Sequence, residues 1–284
     1  MNELDTDPTQ AAVSVAAFFD LDKTIIAKAA MAAFRGPLVD EGLLTKRSLL
    51  RALFAQAVYL HLGASELRLV RVRGVLARLA RGWDSTTVRE IVSETLERIV
   101  DPIIYAEAVD LIELHRALGH RIVIVSASPE EIVVPLARHL GVETTIASRA
   151  ELDEHGRYTG EVAFYAYGPF KAAAIEELAE REGIDLSASF AYSDSHTDIP
   201  TLQLVGHPVA VNPDRILSHL AREREWEVRR FSRPVRLRDR LRDRFPDRRP
   251  TVAVSASAIV LAVAAVAFGM WLGARRNRVT TERA

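Results

Sequence analysis

Two aspartates directly follow a short apolar segment near the start of the chain. Residues Val13 to Phe19 are typical of a buried β-strand, and the sequence Asp20-Leu21-Asp22-Lys23-Thr24 comes immediately after them. Two carboxylates spaced two residues apart repel each other, so one of them is expected to have a raised pKa unless a cation pairs with it. The pattern favours a metal site, although an N-cap carboxylate beside a solvated neighbour would also explain such a pair.

Later segments place further polar residues where a predicted element ends or begins. The sequence Ile-Val-Ile-Val predicts a buried strand before a helix that runs to Leu140, and Gly168-Pro169 predicts the start of another helix. Ser189 to Tyr192 and Pro208 to Val211 each predict a short strand. The polar residues at these positions are Ser126 after the first of these strands, Lys171 in the first turn of the second helix, and Asp194 and Asp198 after the strand that ends at Tyr192.

These positions predict an α/β fold with a doubly wound, mostly parallel sheet, because the carboxyl ends of parallel strands line one crevice. A hydroxyl before a helix N-terminus, as at Ser126, is suited to binding a phosphate oxygen. Lys171 opposes the helix dipole, which a bound anion would explain, although an exposed surface lysine is the alternative. The chain has neither the Gly-x-Ser-x-Gly of serine hydrolases nor the Gly-x-x-x-x-Gly-Lys-Ser of phosphate loops.

The order and spacing of these residues resembles the four motifs of the haloacid dehalogenase superfamily of phosphohydrolases, over about residues 13–225. The residues that match the motifs are Asp20, Asp22 and Thr24, then Ser126, then Lys171, and finally Asp194 and Asp198. The resemblance implies a Rossmann-like core and hydrolysis of phosphomonoesters through an aspartyl-phosphate.

The resemblance also implies a role for each residue. Asp20 would attack phosphorus, and Asp22 would protonate the leaving oxygen and later take a proton from the attacking water. Mg²⁺ would be held by the Asp20 carboxylate, the Asp22 backbone carbonyl and Asp194. The remaining roles are binding of phosphoryl oxygens by Ser126 and Lys171, orientation of water or a ligand by Asp198, and support of the loop by Thr24.

The first two motifs are separated by about 100 residues, far more than one β–α crossover needs. Apolar positions repeat at helical spacing from Leu50 to Leu62 and from Val88 to Val100, and Thr87 with Glu90 predicts a capping box. An all-helical cap in this place resembles the phosphoserine phosphatase-like branch of the superfamily, in which the cap excludes water and selects the substrate.

The sequence departs from phosphoserine phosphatases proper at three places. Residues 25–30 lack the glutamate that reads the serine amine in that family, and Ala127 and Ser193 stand where its motifs have glycine. These departures argue against phosphoserine, which stays the alternative to a small or lipid-derived phosphate; the lipid-derived substrate is suggested only by the membrane anchor predicted below. The stretch from Gly156 to Gly160, flanked by short apolar runs, predicts a turn and hairpin beside the core.

The net charge of −1 conceals an uneven distribution. Residues 221–250 hold 12 arginines against 6 acidic residues, and residues 251–273 are 23 consecutive residues without charge. At about 1.5 Å per residue, such a helix spans a hydrocarbon core of about 30 Å. We expect a single-pass protein of the cell membrane, with the arginine-rich side and the large N-terminal body in the cytoplasm.

Several of these predictions concern the chain as a whole. The absence of cysteine excludes a disulfide framework, a zinc–thiolate site and thiol catalysis. No nucleic-acid partner is expected, and a non-catalytic, membrane-tethered regulator is the alternative to an enzyme. The predicted division is a core of residues 1–27 and 105–225, a cap of residues 28–104, a basic juxtamembrane linker of residues 226–250, a transmembrane helix of residues 251–273 and a short tail of residues 274–284.

Overall fold

A seven-stranded sheet lies at the centre of the residues that this computed structural model describes, which are 14–40, 42, 78 and 80–233. Its strands are β1 (Ala16–Asp20), β2 (Arg121–Pro129), β3 (Thr144–Leu152), β4 (Tyr158–Phe164), β5 (Phe190–Ser193), β6 (His207–Val211) and β7 (Glu227–Arg229). They lie in the order β4-β3-β2-β1-β5-β6-β7, and every neighbouring pair is parallel except β3 and β4. The predicted α/β fold with a mostly parallel sheet is confirmed.

Helices connect and cover the strands. The α-helices of the described residues are α1 (Ala30–Ala33), α2 (Arg35–Asp40), α3 (Ser85–Val100), α4 (Ala106–Ala117), α5 (Glu130–His139), α6 (Pro169–Glu182), α7 (Ile199–Leu204) and α8 (Arg215–Glu223). The first three belong to the insert between β1 and β2, and the other five follow strands of the core or precede them.

Strand β1 is buried on both faces, as its unbroken apolar sequence requires. On one face, Phe18 belongs to a core cluster with Ile175 of α6 and Leu202 of α7. On the other face, Phe19 stacks on Tyr192 of β5 with 4.5 Å between the ring centroids. Burial of a large apolar side chain of this kind contributes about 1.5–3 kcal/mol to stability.

The topology fixes the position of the site. From β1 the chain moves to β2 and β3 on one side of the sheet, and later forms β5, β6 and β7 on the other side. The carboxyl end of β1 is therefore a topological switch point, where a crevice opens between the connections that leave in opposite directions. Asp20 is the last residue of this strand.

The chain leaves the core and returns to it at adjacent positions. The backbone N–H of Ala27 donates to the carbonyl of Ile103 at 2.7 Å, and that of Tyr105 donates to the carbonyl of Ile25 at 2.9 Å. These bonds close the base of the insert, so the chain leaves the core and re-enters it at neighbouring positions.

Helix α3 has the apolar face that the sequence predicts, but it begins earlier. Its buried face includes Val88, Ile91, Val92, Leu96 and Val100. The predicted capping box of Thr87 and Glu90 is wrong, because the N-cap is Asp84, whose carboxylate accepts from the backbone N–H groups of Thr86 and Thr87. An aspartate is among the best N-cap residues, and it satisfies two donors of the first turn. The predicted helical face from Leu50 to Leu62 lies outside the described residues.

The predicted hairpin is present as β3 and β4, but its turn lies earlier than Gly156 to Gly160. Asp153 makes the turn, since its carboxylate accepts from the backbone N–H groups of His155 and Arg157, each at 2.9 Å. The hairpin also contacts the insert: the N–H of Ser85 donates to the carbonyl of Gly156 at 3.1 Å. Helix α3 is thereby tied at its first residue to a hairpin of the core.

Residues 226–233 were predicted to open the basic linker, and this boundary is wrong. Residues 227–229 form β7, which pairs with β6 because the edge of a parallel sheet accepts another strand through its backbone groups. Phe231 and Asn212 then exchange two hydrogen bonds, and Arg233 bonds the Glu107 carboxylate. The core therefore includes the residues up to Arg233.

The remainder of the linker, the predicted transmembrane helix at residues 251–273 and the tail at 274–284 lie outside the described residues. Among the residues that are described, no helix combines the length and the apolar character needed to cross a bilayer.

Candidate active site

A buried lysine joins two aspartates at the carboxyl end of β1. Lys171 Nζ lies 2.7 Å from Asp20 Oδ1 and 2.9 Å from Asp198 Oδ2, and the lysine is only 2% exposed. Burial lowers the pKa of Lys171, but the two carboxylates outweigh it and hold this pKa above its ordinary value. The ammonium group is therefore charged at neutral pH.

The start of helix α6 places Lys171. Pro169 is its first residue, where the missing N–H is not needed, and Gly168 before it has a φ of +53°, which a residue with a side chain rarely adopts. Lys171 is the third residue of the helix, so its long side chain can reach across to the end of β1. The predicted position of this lysine in a first turn is confirmed.

Burial raises the pKa of Asp20 well above its ordinary value, and the Lys171 cation opposes this effect. The nearby carboxylates Asp198, Asp22 and Asp194 raise the pKa further. A further cation beside Asp20 would favour the ionised form, which is the form that a nucleophilic carboxylate needs.

Asp22 is held on both sides of its carboxyl group. Ser128 Oγ donates to Asp22 Oδ2 at 2.8 Å, and the backbone N–H of Ala30, the first residue of α1, donates to Oδ1. Ser126 Oγ lies at 3.5 Å from Oδ2. Burial raises the pKa of Asp22, while these hydrogen bonds lower it.

The two serines face Asp22 because β2 is irregular at this point. Ser126 is in register with Ala147 of β3, whereas Pro129 is in register with the next residue, Ser148, so that Ala127 and Ser128 form a bulge. Bulges turn side chains at strand ends and are common next to active sites. The backbone N–H of Ser128 donates to Ser126 Oγ at 3.0 Å, which fixes the buried hydroxyl of Ser126.

Asp194 lies in the loop after β5 and is 8% exposed. Burial raises its pKa to about 7, and the Lys23 ammonium, 3.9 Å away, opposes this shift. The N–H of Asp214 donates to the Asp194 carbonyl at 2.8 Å, and the Asp214 carboxylate accepts from His196 Nδ1 and from the His196 backbone. Asp214 therefore holds the loop that carries Asp194.

Ser193 adds a hydroxyl to the lysine network. Its Oγ donates to Asp198 Oδ2 at 2.6 Å and accepts from the backbone N–H of Ser195 at 3.2 Å. The serine that stands in place of the motif's glycine therefore has a structural role: its hydroxyl orients the carboxylate that binds Lys171.

The role of Thr24 as support for the loop stays a prediction. Thr24 is completely buried, and its hydroxyl has no hydrogen-bond partner among residues 14–40, 42, 78 and 80–233. Its methyl group can fill apolar space there, but the structure assigns no contact to the hydroxyl.

The donor set at the end of β1 fits a hard divalent cation, although it contains fewer side chains than a protein-only metal cage. Within the described part of the chain, no group of three or more His, Cys, Asp or Glu side chains is arranged as metal ligands. Mg²⁺ is commonly bound by one or two carboxylates together with substrate phosphate and water. Asp20 and Asp194 would supply such carboxylates; burial is the main cause of the raised pKa of each, and a bound cation would favour their ionised forms.

The structure therefore brings together the charged residues that the sequence predicted, namely Asp20, Asp22, Lys171, Asp194 and Asp198, with Ser126 beside them. Three contributors were not predicted: Ser128, Asp214 and the backbone of Ala30. Ser128 could have been noticed in the sequence as a second hydroxyl two residues after Ser126.

Comparison with known sequences places the chain in a family. Residues 17–203 match the haloacid dehalogenase-like hydrolases, and the chain belongs to this family. The predicted membership of this superfamily is confirmed.

Named relatives differ in their descriptions. An inhibition of morphological differentiation protein of Streptomyces azureus is 48% identical over 262 residues, which cover 92% of this chain and 94% of that protein. A probable phosphatase of Mycobacterium tuberculosis is 49% identical over 254 residues, covering 89% and 86%. A phosphoserine phosphatase of the same organism is 35% identical over 227 residues, covering 77% and 71%.

Proposed function

We propose that this chain is a phosphatase that hydrolyses phosphomonoesters through an aspartyl-phosphate on Asp20, with Mg²⁺ as its cofactor. The observation that carries the proposal is the buried Lys171 ammonium within 2.9 Å of both Asp20 and Asp198, at the carboxyl end of the central strand. A cation fixed beside a nucleophilic carboxylate suits a phosphoryl group, whose oxygens gain charge during transfer. Family membership and relatives named as phosphatases support the same reaction.

Each residue then has a defined task. Asp20 Oδ attacks phosphorus as the bond to the leaving oxygen breaks, and Asp22 gives that oxygen its proton. In the second half of the reaction, Asp22 takes a proton from water, whose oxygen bonds phosphorus as the Asp20 ester bond breaks. Lys171 and the Ser126 hydroxyl bind phosphoryl oxygens throughout.

Mg²⁺ would be held by the Asp20 carboxylate, the Asp22 backbone carbonyl and Asp194. When bound, it withdraws electron density from the phosphoryl group and lowers the repulsion between that group and the carboxylate nucleophile. Two contacts hold the Asp194 loop in place. The N–H of Asp214 donates to the Asp194 carbonyl, and the Lys23 ammonium lies beside the Asp194 carboxylate.

Assays of the full-length chain with and without metal test this proposal. We expect turnover of an aryl phosphate in Mg²⁺, loss of at least about 100-fold of the rate in EDTA, and recovery when excess Mg²⁺ is restored, because the carboxylate cluster needs the added positive charge. Initial rates of phosphate release are the measurement. Equal rates with and without EDTA would contradict the requirement for Mg²⁺. No turnover of any phosphomonoester in a panel would contradict the phosphatase activity.

The substrate is a phosphomonoester of a small molecule or of a lipid headgroup. Phosphoserine is the alternative, and the 35% identical relative named as a phosphoserine phosphatase favours it. Residues 25–30 argue against it, because they offer no carboxylate for a serine amine. Comparison of kcat/KM for phosphoserine and for a lysophospholipid phosphate in the same assay decides between these two substrates.

The membrane anchor at residues 251–273 is part of this proposal, and the 23 uncharged residues support it. We expect the full-length chain in cells to sediment with membranes and to be released by detergent but not by high salt. Deletion of residues 251–284 should move it to the supernatant, whereas deletion of residues 274–284 alone should not. Fractionation followed by immunoblotting measures this, and a full-length chain that stays in the supernatant contradicts the anchor.

A further inference from the structure

The Asp22 carboxyl group is hydrogen-bonded at both of its oxygens, by a backbone N–H at one and by serine hydroxyls at the other. The backbone N–H of Ala30 holds Oδ1 from the side of the insert, and Ser128 Oγ holds Oδ2 at 2.8 Å from the side of β2. A carboxyl group bonded at both oxygens cannot rotate about its last bond without losing a hydrogen bond. Ser126 Oγ is 3.5 Å from the same Oδ2, so the shorter Ser128 contact is the main one that sets the plane of this group from the core.

The contact is built into the fold. Ser128 is 7% exposed and lies in the bulge between Ser126 and Pro129, and its own N–H donates to Ser126 Oγ at 3.0 Å. The two serines therefore differ in their contacts. Ser126 Oγ accepts from the Ser128 N–H and lies 3.5 Å from Asp22 Oδ2, whereas the Ser128 hydroxyl makes the shorter contact with that oxygen, at 2.8 Å.

We propose that Ser128 is a positioning residue that orients the Asp22 carboxyl group for proton transfer to the leaving oxygen. The inference rests on the proposed function, in which Asp22 is the acid, and it assigns a specific step to a serine that the four motifs do not include.

The proton and electron balance is simple. As Asp20 Oδ bonds phosphorus, the electron pair of the broken P–O bond goes to the leaving oxygen, which takes the proton of Asp22. Ser128 keeps its own proton and only donates a hydrogen bond. A carboxyl oxygen has two lone pairs, so Oδ1, which accepts from the Ala30 N–H, retains one for the transferred proton, while Oδ2 accepts from the serine hydroxyls.

Substrates whose leaving groups differ in basicity test the proton transfer from Asp22, because they differ in how much they need it. An alkyl alkoxide needs protonation as it leaves, whereas 2,4-dinitrophenolate is stable enough to leave without it. General acid catalysis contributes about 10²–10⁴-fold where it is needed. The value of kcat/KM covers only the steps up to the first irreversible one, so it isolates formation of the aspartyl-phosphate from its hydrolysis.

The experiment compares kcat/KM of the full-length Ser128→Ala variant on glycerol 3-phosphate, or another alkyl phosphate that the wild type accepts, and on 2,4-dinitrophenyl phosphate. We expect a loss on the order of 100-fold for the alkyl phosphate and less than about threefold for the dinitrophenyl phosphate. Ser128→Thr keeps the hydroxyl and should recover most of the lost activity. Ser93→Ala removes an exposed serine hydroxyl of α3 and should leave both values unchanged.

Equal losses on the two substrates would show that Ser128 binds substrate or maintains the fold, and would overturn the proposal, as would no loss on either. Asp22→Asn should reproduce the selective loss in a stronger form. If Asp22→Asn shows no selectivity, the assignment of Asp22 as the acid fails and the role of Ser128 fails with it. If Asp22→Asn is selective and Ser128→Ala is not, only the role of Ser128 fails.

Discussion

Replacement of Asp20 by asparagine is expected to lower kcat by at least about 10⁴-fold on every phosphomonoester that the wild type accepts. The amide has nearly the same shape as the carboxylate, but it cannot form the phosphoryl ester, and the two-step route is lost. Lys171 retains Asp198 at 2.9 Å in this variant, so the fold should persist. Initial rates, together with the mass of protein quenched in acid during turnover, measure the effect: the wild type gains one phosphoryl group and Asp20→Asn gains none.

Asp40→Asn is the matched control, because it removes the same charge from an exposed position of α2. It should retain wild-type rates. An Asp20→Asn variant within about tenfold of the wild type would contradict the nucleophile assignment. In cells, the same variant separates an enzyme from a non-catalytic regulator: a regulator keeps its phenotype in Asp20→Asn and loses it when residues 251–284 are deleted.

The charged residues of the site could be predicted from the sequence because their convergence follows from topology. Asp20 and Asp194 follow predicted strands, and parallel strands of one sheet end at one edge. Lys171 was recognisable because a cation in a first helical turn is costly without an anion, and the structure places two carboxylates against it.

Contacts that depend on local irregularity could not be predicted. Ser128 meets Asp22 through the bulge in β2, and Ser-x-x-Pro is equally typical of a turn or a helix start. Strand β7 has the sequence Glu227-Val228-Arg229, which lacks the apolar pattern of a buried strand. It forms at a sheet edge, where backbone pairing with β6 rather than side-chain burial decides the outcome.

Ser193 illustrates how a departure from a family pattern can be absorbed. With a glycine at this position, Lys171 would be the one side-chain partner of Asp198 among the described residues, whereas the serine hydroxyl adds a 2.6 Å bond to the same Oδ2 atom. The lysine is then held by a carboxylate that is itself fixed. We therefore expect Lys171 to contribute to stability as well as to the proposed catalysis.

Lys171→Met is expected to lower the free energy of unfolding by about 3–5 kcal/mol, since it leaves Asp20 and Asp198 buried without their cation. It should also lower kcat by at least about 100-fold, because the phosphoryl oxygens lose their fixed positive partner. Urea unfolding followed by circular dichroism, at constant Mg²⁺, measures the first effect, and initial rates measure the second. Lys28→Met, at an exposed position in the insert, is the control and should change neither.

The double variant Lys171→Met with Asp198→Asn separates the two contributions. Removal of the second buried charge should recover part of the lost stability, because an uncompensated carboxylate costs more than a buried amide that bonds Ser193. Activity should not recover, since the phosphoryl group still lacks its cation. The double-mutant cycle gives the coupling energy of the pair. A double variant no more stable than Lys171→Met would mean that the charge of Asp198 is not what the lysine compensates, and that the stability of the site comes from Asp20 and Lys171 alone.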